Sequence, residues 1–118
     1  MFLLTIKKIS PKELHERLKD NEKVLLLDVR AEEKYNEFHI EDPQIQSVNI
    51  PKTSIFALEE TPENSHLSLP KDQEIVVTCT TGNSAAKCAN ILDGRDHRVI
   101  VLEGGLTAWK EYKKSLND

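Results

Sequence analysis

The sequence predicts an α/β protein, three-layered, with a central, mostly parallel five-stranded sheet and helices on both faces. Two continuous apolar runs bounded by charge, Val24-Leu25-Leu26-Leu27 and Val99-Ile100-Val101-Leu102, are the mark of strands covered on both sides. Segments with helical periodicity separate these from the other β-branched runs, and such alternation requires parallel strands joined by helical crossovers. At 118 residues the chain suits one domain, residues 1–118, with one core. No repeat, low-complexity stretch or linker divides it.

Ile6 and Ile9 flank lysines and supply a short N-terminal edge strand. Ser10-Pro11-Lys12-Glu13 combines a helix N-cap, a proline at the first helical position and a glutamate three residues after the cap. Leu14 and Leu18 share one face of the helix this starts, which ends near Asp20-Asn21. The strand Val24 to Leu27 delivers Asp28-Val29-Arg30 at its end, and Ala31 to Phe38 forms a surface helix rich in Glu and Lys. Glu41-Asp42-Pro43-Gln44 is loop, and Val48-Asn49-Ile50 is a third strand stopped by Pro51.

Thr53 to Leu69 is the least legible stretch, with a short helix around Ile55-Phe56-Ala57-Leu58 and turn residues at Thr61-Pro62-Glu63-Asn64. Leu67 and Leu69 are expected to pin it to the core. Ile75-Val76-Val77-Thr78 is a fourth strand. Ala85, Cys88, Ala89 and Leu92 then fall at i, i+3, i+4 and i+7, one buried helical stripe, with Gly94 as a C′ glycine. After the strand Val99 to Leu102, Gly104-Gly105 turns the chain into a last helix carrying Leu106, Trp109 and Leu116.

Composition narrows the function. Hydrophobic residues at 38% and charged residues at 31% describe an ordinary globular chain. A formal charge of −4 offers no footprint for nucleic acid, which needs clustered Lys and Arg. The apolar opening is too short for a secretory segment and its lysines follow rather than precede it, and nothing approaches a bilayer span, so no membrane partner and a cytoplasmic location are expected. Cys79 and Cys88 are the only cysteines, and a reducing compartment leaves both free. The histidines, at 15, 39, 66 and 97, are scattered, which disfavours zinc; neither a metal nor an organic cofactor is expected.

The most informative residue is Cys79. It stands at the carboxyl end of a buried strand, followed by Thr80-Thr81-Gly82-Asn83-Ser84 and then a helix. Backbone N–H groups and a helix N-terminus both favour negative charge there, which suits a thiolate. The loop can curl so that successive amides form an anion nest around the sulfur, and Gly82 provides the positive φ that such curling demands.

These residues resemble the rhodanese superfamily over nearly the whole chain. Leu26-Leu27-Asp28-Val29-Arg30, with Tyr35, His39-Ile40 and Asn49-Ile50-Pro51 downstream, is similar to the family's early motif, VVTCTTGNSA to its active loop, and VIVLEGGLTAW to its closing motif. The resemblance implies a rhodanese-like fold and a sulfurtransferase that carries sulfane sulfur as a persulfide on catalytic Cys79. Thr80, Thr81, Gly82, Asn83 and Ser84 would bind the substrate. The implied partners are a small sulfur donor (thiosulfate, polysulfide or a protein persulfide) and a thiol acceptor. Family loops typically read CxxGxRS, whereas here Ser84 replaces the arginine and Ala85 the serine. Trading a charge-assisted hydrogen bond for a neutral one is expected to weaken thiosulfate binding by about one decade. Phe38 also replaces a glycine before His-Ile, and Glu41 to Ser47 is longer than usual, which reshapes a loop.

Each residue also has a structural reading. Cys88 lies on the packed stripe, so packing is expected rather than a resolving thiol. Asp28 is expected to hydrogen-bond backbone at the strand end and Arg30 to pair with Glu33 or another nearby carboxylate. An anchoring hydrogen bond is the commoner use of a residue such as His39. Lys87 could stand in for the missing cation, although a solvated lysine is the default, and Trp109 reads as a core anchor. A cysteine phosphatase needs arginine six residues after the nucleophile, where this chain has Ala85. The stronger rival is a non-catalytic rhodanese-like binding or regulatory module.

Overall fold

A computed structural model describes residues 6–59 and 69–116. Strand β1 (Lys8–Ile9) leads to helix α1 (Pro11–Lys19), β2 (Val24–Asp28), α2 (Glu32–Glu37), β3 (Ile45–Asn49) and α3 (Lys52–Phe56), which runs into a single 3₁₀ turn, Ala57–Glu59. β4 (Ile75–Thr78), α4 (Asn83–Asp93), β5 (Val99–Leu102) and α5 (Gly105–Ser115) complete the elements among the described residues. The strands form one sheet in the order β1-β5-β4-β2-β3, and each adjacent pair is parallel. β4, which delivers Cys79, lies at its centre.

Strand periodicity divides the core between the two faces. Leu25, Leu27, Val77 and Cys79 turn to one side and pack with Ile55, Ala85, Cys88, Ala89 and Leu92, so α3 and α4 cover that face. Val24, Leu26, Val76 and Ile100 turn to the other, against Leu14, Leu18, Leu106 and Trp109 of α1 and α5. The alternation within β2 and β4 follows from the two-residue repeat of a strand. Helix α1 starts with the capping box read from the sequence: the Ser10 hydroxyl accepts from the Glu13 amide and the Glu13 carboxylate accepts from the Ser10 amide, each at 3.1 Å. The Ser10 backbone and hydroxyl hold the Glu13 carboxyl below its ordinary value.

Several boundaries differ from the sequence reading. β3 begins at Ile45 rather than Val48, because its register with β2 runs from Val24↔Ile45 to Asp28↔Asn49. As an edge strand with half-buried residues it carries no continuous apolar run. Gly94 is not a left-handed C′ residue: it ends α4 with φ −66°, and the positive φ falls on Asp96 at 72°. Leu116 lies just past α5 and is 48% exposed, so it anchors nothing. Leu69 is buried in the core as expected, while Leu67 and the turn at Thr61 to Asn64 lie outside the described residues.

Candidate active site

The site is assembled where the carboxyl ends of β2 and β4 meet. The Val29 amide donates to the Thr78 carbonyl at 3.0 Å, the Ile50 amide to the Asp28 carbonyl at 3.1 Å and the Lys52 amide to the Val29 carbonyl at 2.9 Å. These bonds carry the ladder past the strand ends and fix the start of α3 beside the loop that follows β4. Asn49 secures the same corner, its side-chain amide donating to the carbonyls of Asp28 and Arg30 at 3.0 and 2.9 Å.

Within the loop, the Sγ of Cys79 accepts hydrogen bonds from the backbone amides of Gly82 at 3.0 Å and Ala85 at 3.3 Å. Gly82 has φ +101°, a conformation an L side chain resists. It turns the chain so that its own amide and the first turn of α4 face the sulfur. Both donors therefore lie at the N-terminal end of an eleven-residue helix, where the backbone favours negative charge.

The opposite side of the loop is held by α5. Its amides at Leu106 and Thr107 donate to the carbonyls of Cys79 and Thr80 at 2.9 and 3.0 Å. Those carbonyls are thus drawn outward, away from the amides that face the sulfur. Gly105 permits this approach: a Cβ there would lie 2.5 Å from the Cys79 carbonyl oxygen and 2.7 Å from that of Thr80. The double glycine read as a sharp turn is thereby also a contact surface for the loop.

Cys79 is 5% exposed, beneath a rim of exposed Thr80, Thr81 and Asn83. Ser84 is half-buried, and its hydroxyl accepts from the Lys52 ammonium at 3.5 Å. The cation bonded beside the arginine position is thus Lys52; Lys52 and Lys87 are both exposed. Cys88 is fully buried one turn further along α4. Burial pushes its thiol up to about 12, with negative charge at Cys79 adding to the shift and Lys52 opposing it. Such a thiol stays protonated at neutral pH and serves packing.

Asp28 and Arg30 form a buried, bidentate pair: the guanidinium reaches both carboxylate oxygens at 2.8 to 3.0 Å, and the Arg30 amide donates to Asp28 Oδ1 at 3.0 Å. Asp28 thus makes the expected backbone bond and is also the partner of Arg30. The guanidinium continues to the Phe38 carbonyl at 2.6 Å. Phe38 takes an extended φ of −164°, open to any residue, so the glycine usual in the family is not needed here. His39 stacks on Tyr35 with ring centroids 4.0 Å apart, bonds the Tyr35 carbonyl at 2.9 Å and lies 3.4 Å from Glu41; its role is anchoring. Trp109 is buried against α1 as predicted. A cavity of about 920 Å³ opens between α1, α5 and residues 36–44, with no residue of the Cys79 loop in its lining.

Sequence reasoning singled out Cys79 and Thr80 to Ser84 as the candidate site; the structure adds two neighbours it did not single out, the Ala85 amide at the sulfur and Lys52 at Ser84. Ala85 acts through its amide, which is indifferent to the side chain, so replacement of the family serine leaves that donor in place. The residues can hold an anionic sulfur among backbone donors.

Comparison with known proteins shows the family and the fold. The chain is 29% identical over 114 residues to YtwF of Bacillus subtilis, covering 97% of this chain and 100% of that one. A sulfurtransferase of Allochromatium vinosum is 29% identical over 108 residues, covering 91% of each chain. A rhodanese-related protein of Thermoplasma volcanium superposes with a TM-score of 0.67 at 27% identity, over 90% of this chain and 92% of that one. The family model of the rhodanese-like domain matches residues 10–112, the span from the capping box of α1 to the last helix, and the chain belongs to the rhodanese-like sulfurtransferase family.

Proposed function

We propose that this protein is a sulfur carrier that loads sulfane sulfur on Cys79 and hands it to a thiol. The observation that carries the reading is the pair of amides, from Gly82 and Ala85, directed at Sγ. The Cys79 thiolate attacks the outer sulfur of a donor and a new S–S bond forms. The donor's internal S–S bond breaks, and the shortened anion (sulfite from thiosulfate) departs with the bonding pair. An acceptor thiolate then attacks the outer sulfur of the persulfide and Cys79 leaves as thiolate. The Gly82 and Ala85 amides hold negative charge at the start and end of each half-cycle, so neither half needs a side-chain acid.

Ser84 lacks the charge and fork of an arginine, so donors that need no bidentate cation, such as polysulfides or another protein's persulfide, are favoured over thiosulfate. Both cysteines are free, which suits a reducing compartment such as the cytoplasm.

Mass spectrometry after incubation with polysulfide tests the reading. The expected result is a gain of one sulfur atom on Cys79, absent in Cys79→Ser. No gain in the unsubstituted protein favours the rival reading, a non-catalytic rhodanese-like module, which rests on the missing arginine. In the same assay Ser84→Arg is expected to speed loading from thiosulfate by about ten-fold, while loading from polysulfide changes little.

A further inference from the structure

The arginine missing from the loop leaves the question of what meets the negative charge of a donor. Lys52 reaches that place from another element. Its amide is bonded to Val29, and Val29 to Thr78, the residue before the nucleophile, so its backbone sits one strand end over from Cys79. From there its ammonium lies 3.5 Å from the hydroxyl of Ser84, the residue that occupies the arginine position. Lys52 is exposed, and among the described residues no carboxylate lies within ion-pair distance of it. Its charge nevertheless reaches inward, opposing the upward shift of the buried Cys88 thiol. A flexible stem on a fixed backbone can exchange the neutral serine contact for an anion at little cost.

We propose that Lys52 is the donor-binding cation of this site, holding the anionic end of a small sulfur donor while Cys79 Sγ attacks its outer sulfur. The inference rests on the sulfur-carrier reading above. For thiosulfate the sulfonate sits at Lys52, the Cys79–sulfur bond forms, the bond between the two thiosulfate sulfurs breaks, and sulfite leaves with the electron pair. A single ammonium is a point charge without the guanidinium fork, so thiosulfate is held more weakly than by an arginine-bearing loop. Lys52 therefore selects for anionic over neutral donors.

The test compares alkylation of Cys79 by iodoacetate and by iodoacetamide in the unsubstituted protein, Lys52→Met and Lys52→Arg, with peptide mapping to count Cys88 separately. The two reagents differ in charge and not in the bond they form, so their rate ratio reports a local cation independently of sulfur transfer. Lys52→Met is expected to lower the iodoacetate-to-iodoacetamide ratio roughly five-fold, as one charge a few ångströms away in a mixed dielectric would. Lys52→Arg is expected to keep it. Equal ratios in all three proteins, or a parallel fall with both reagents, overturn the inference. In a second arm the KM for thiosulfate rises in Lys52→Met while the rate at which Cys79 forms a mixed disulfide with a neutral dialkyl disulfide, releasing the alkyl thiolate, is unchanged; equal loss with both reagents overturns it. A ratio that moves as expected in a protein that no donor ever loads upholds Lys52 as the anion-binding group and refutes the sulfur-carrier reading.

Discussion

Two cysteines of the same chemical type end in opposite environments, and the difference is set by backbone direction. Cys79 faces two amides; Cys88 faces Val, Leu and Ala side chains of the α3–α4 core. A thiol raised to about 12 by burial has a thermodynamic signature. Below the ordinary thiol value of about 9, folded and unfolded Cys88 are both protonated and the group is neutral to stability. Between about 9 and 12 the unfolded chain releases the proton and the folded one keeps it. Stability therefore falls as pH rises, by up to about 1.4 kcal/mol per pH unit. Urea denaturation between pH 8 and 11 checks this. Cys88→Ala is expected to start less stable, by about 1 kcal/mol for the lost packing, and to lose less stability as pH rises.

At the scale of elements, the active loop is a junction of three: β4 delivers it, α4 receives it and α5 holds its carbonyls. Gly105→Ala is expected to destabilise the protein by about 2–4 kcal/mol, because the new Cβ meets two carbonyl oxygens and the residue keeps φ +61°. Its persulfide loading should fall even where chemical denaturation shows the sheet still folded, since the clash is with Cys79 and Thr80 themselves. Much of this was legible in the sequence. β2 and β5 announced themselves as continuous apolar runs because both of their faces are covered, and α1 because its capping chemistry is local. β3 was half legible: an edge strand with polar Gln46 and Ser47 has no pattern to distinguish its first residues from loop. Gly94 misled because glycine permits a left-handed turn without requiring one, and Asp96 adopted it instead. Cys79 was legible as a candidate from its place after a strand. The Ala85 donor was not, because an amide has no residue signature. Nor was Lys52, which reaches Ser84 across 32 residues of sequence through a crossover whose packing no local window contains.

Over the whole molecule, the pair Asp28–Arg30 joins the end of a central strand to the segment that returns toward the sheet edge. Their side chains are only 2% and 10% exposed, and Arg30 also takes the Phe38 carbonyl. Breaking such a pair leaves a buried charge unmatched, and Asp28→Ala is expected to cost about 3–5 kcal/mol. That is a large part of a typical domain's stability and would be read as a lower denaturation midpoint. Arg30→Met, which removes the charge that Asp28→Ala would strand, should combine with it less than additively in a double-mutant cycle.

The position of β4 carries one more consequence. With two strands on either side, it is the rung furthest from both margins of the sheet, whereas the two-residue β1 can peel away at one of them. Deuterium uptake at the Gly82 and Ala85 peptides should therefore be as slow as the slowest in the molecule. The cradle would then vanish only with the global fold, and heat inactivation would coincide with melting rather than precede it.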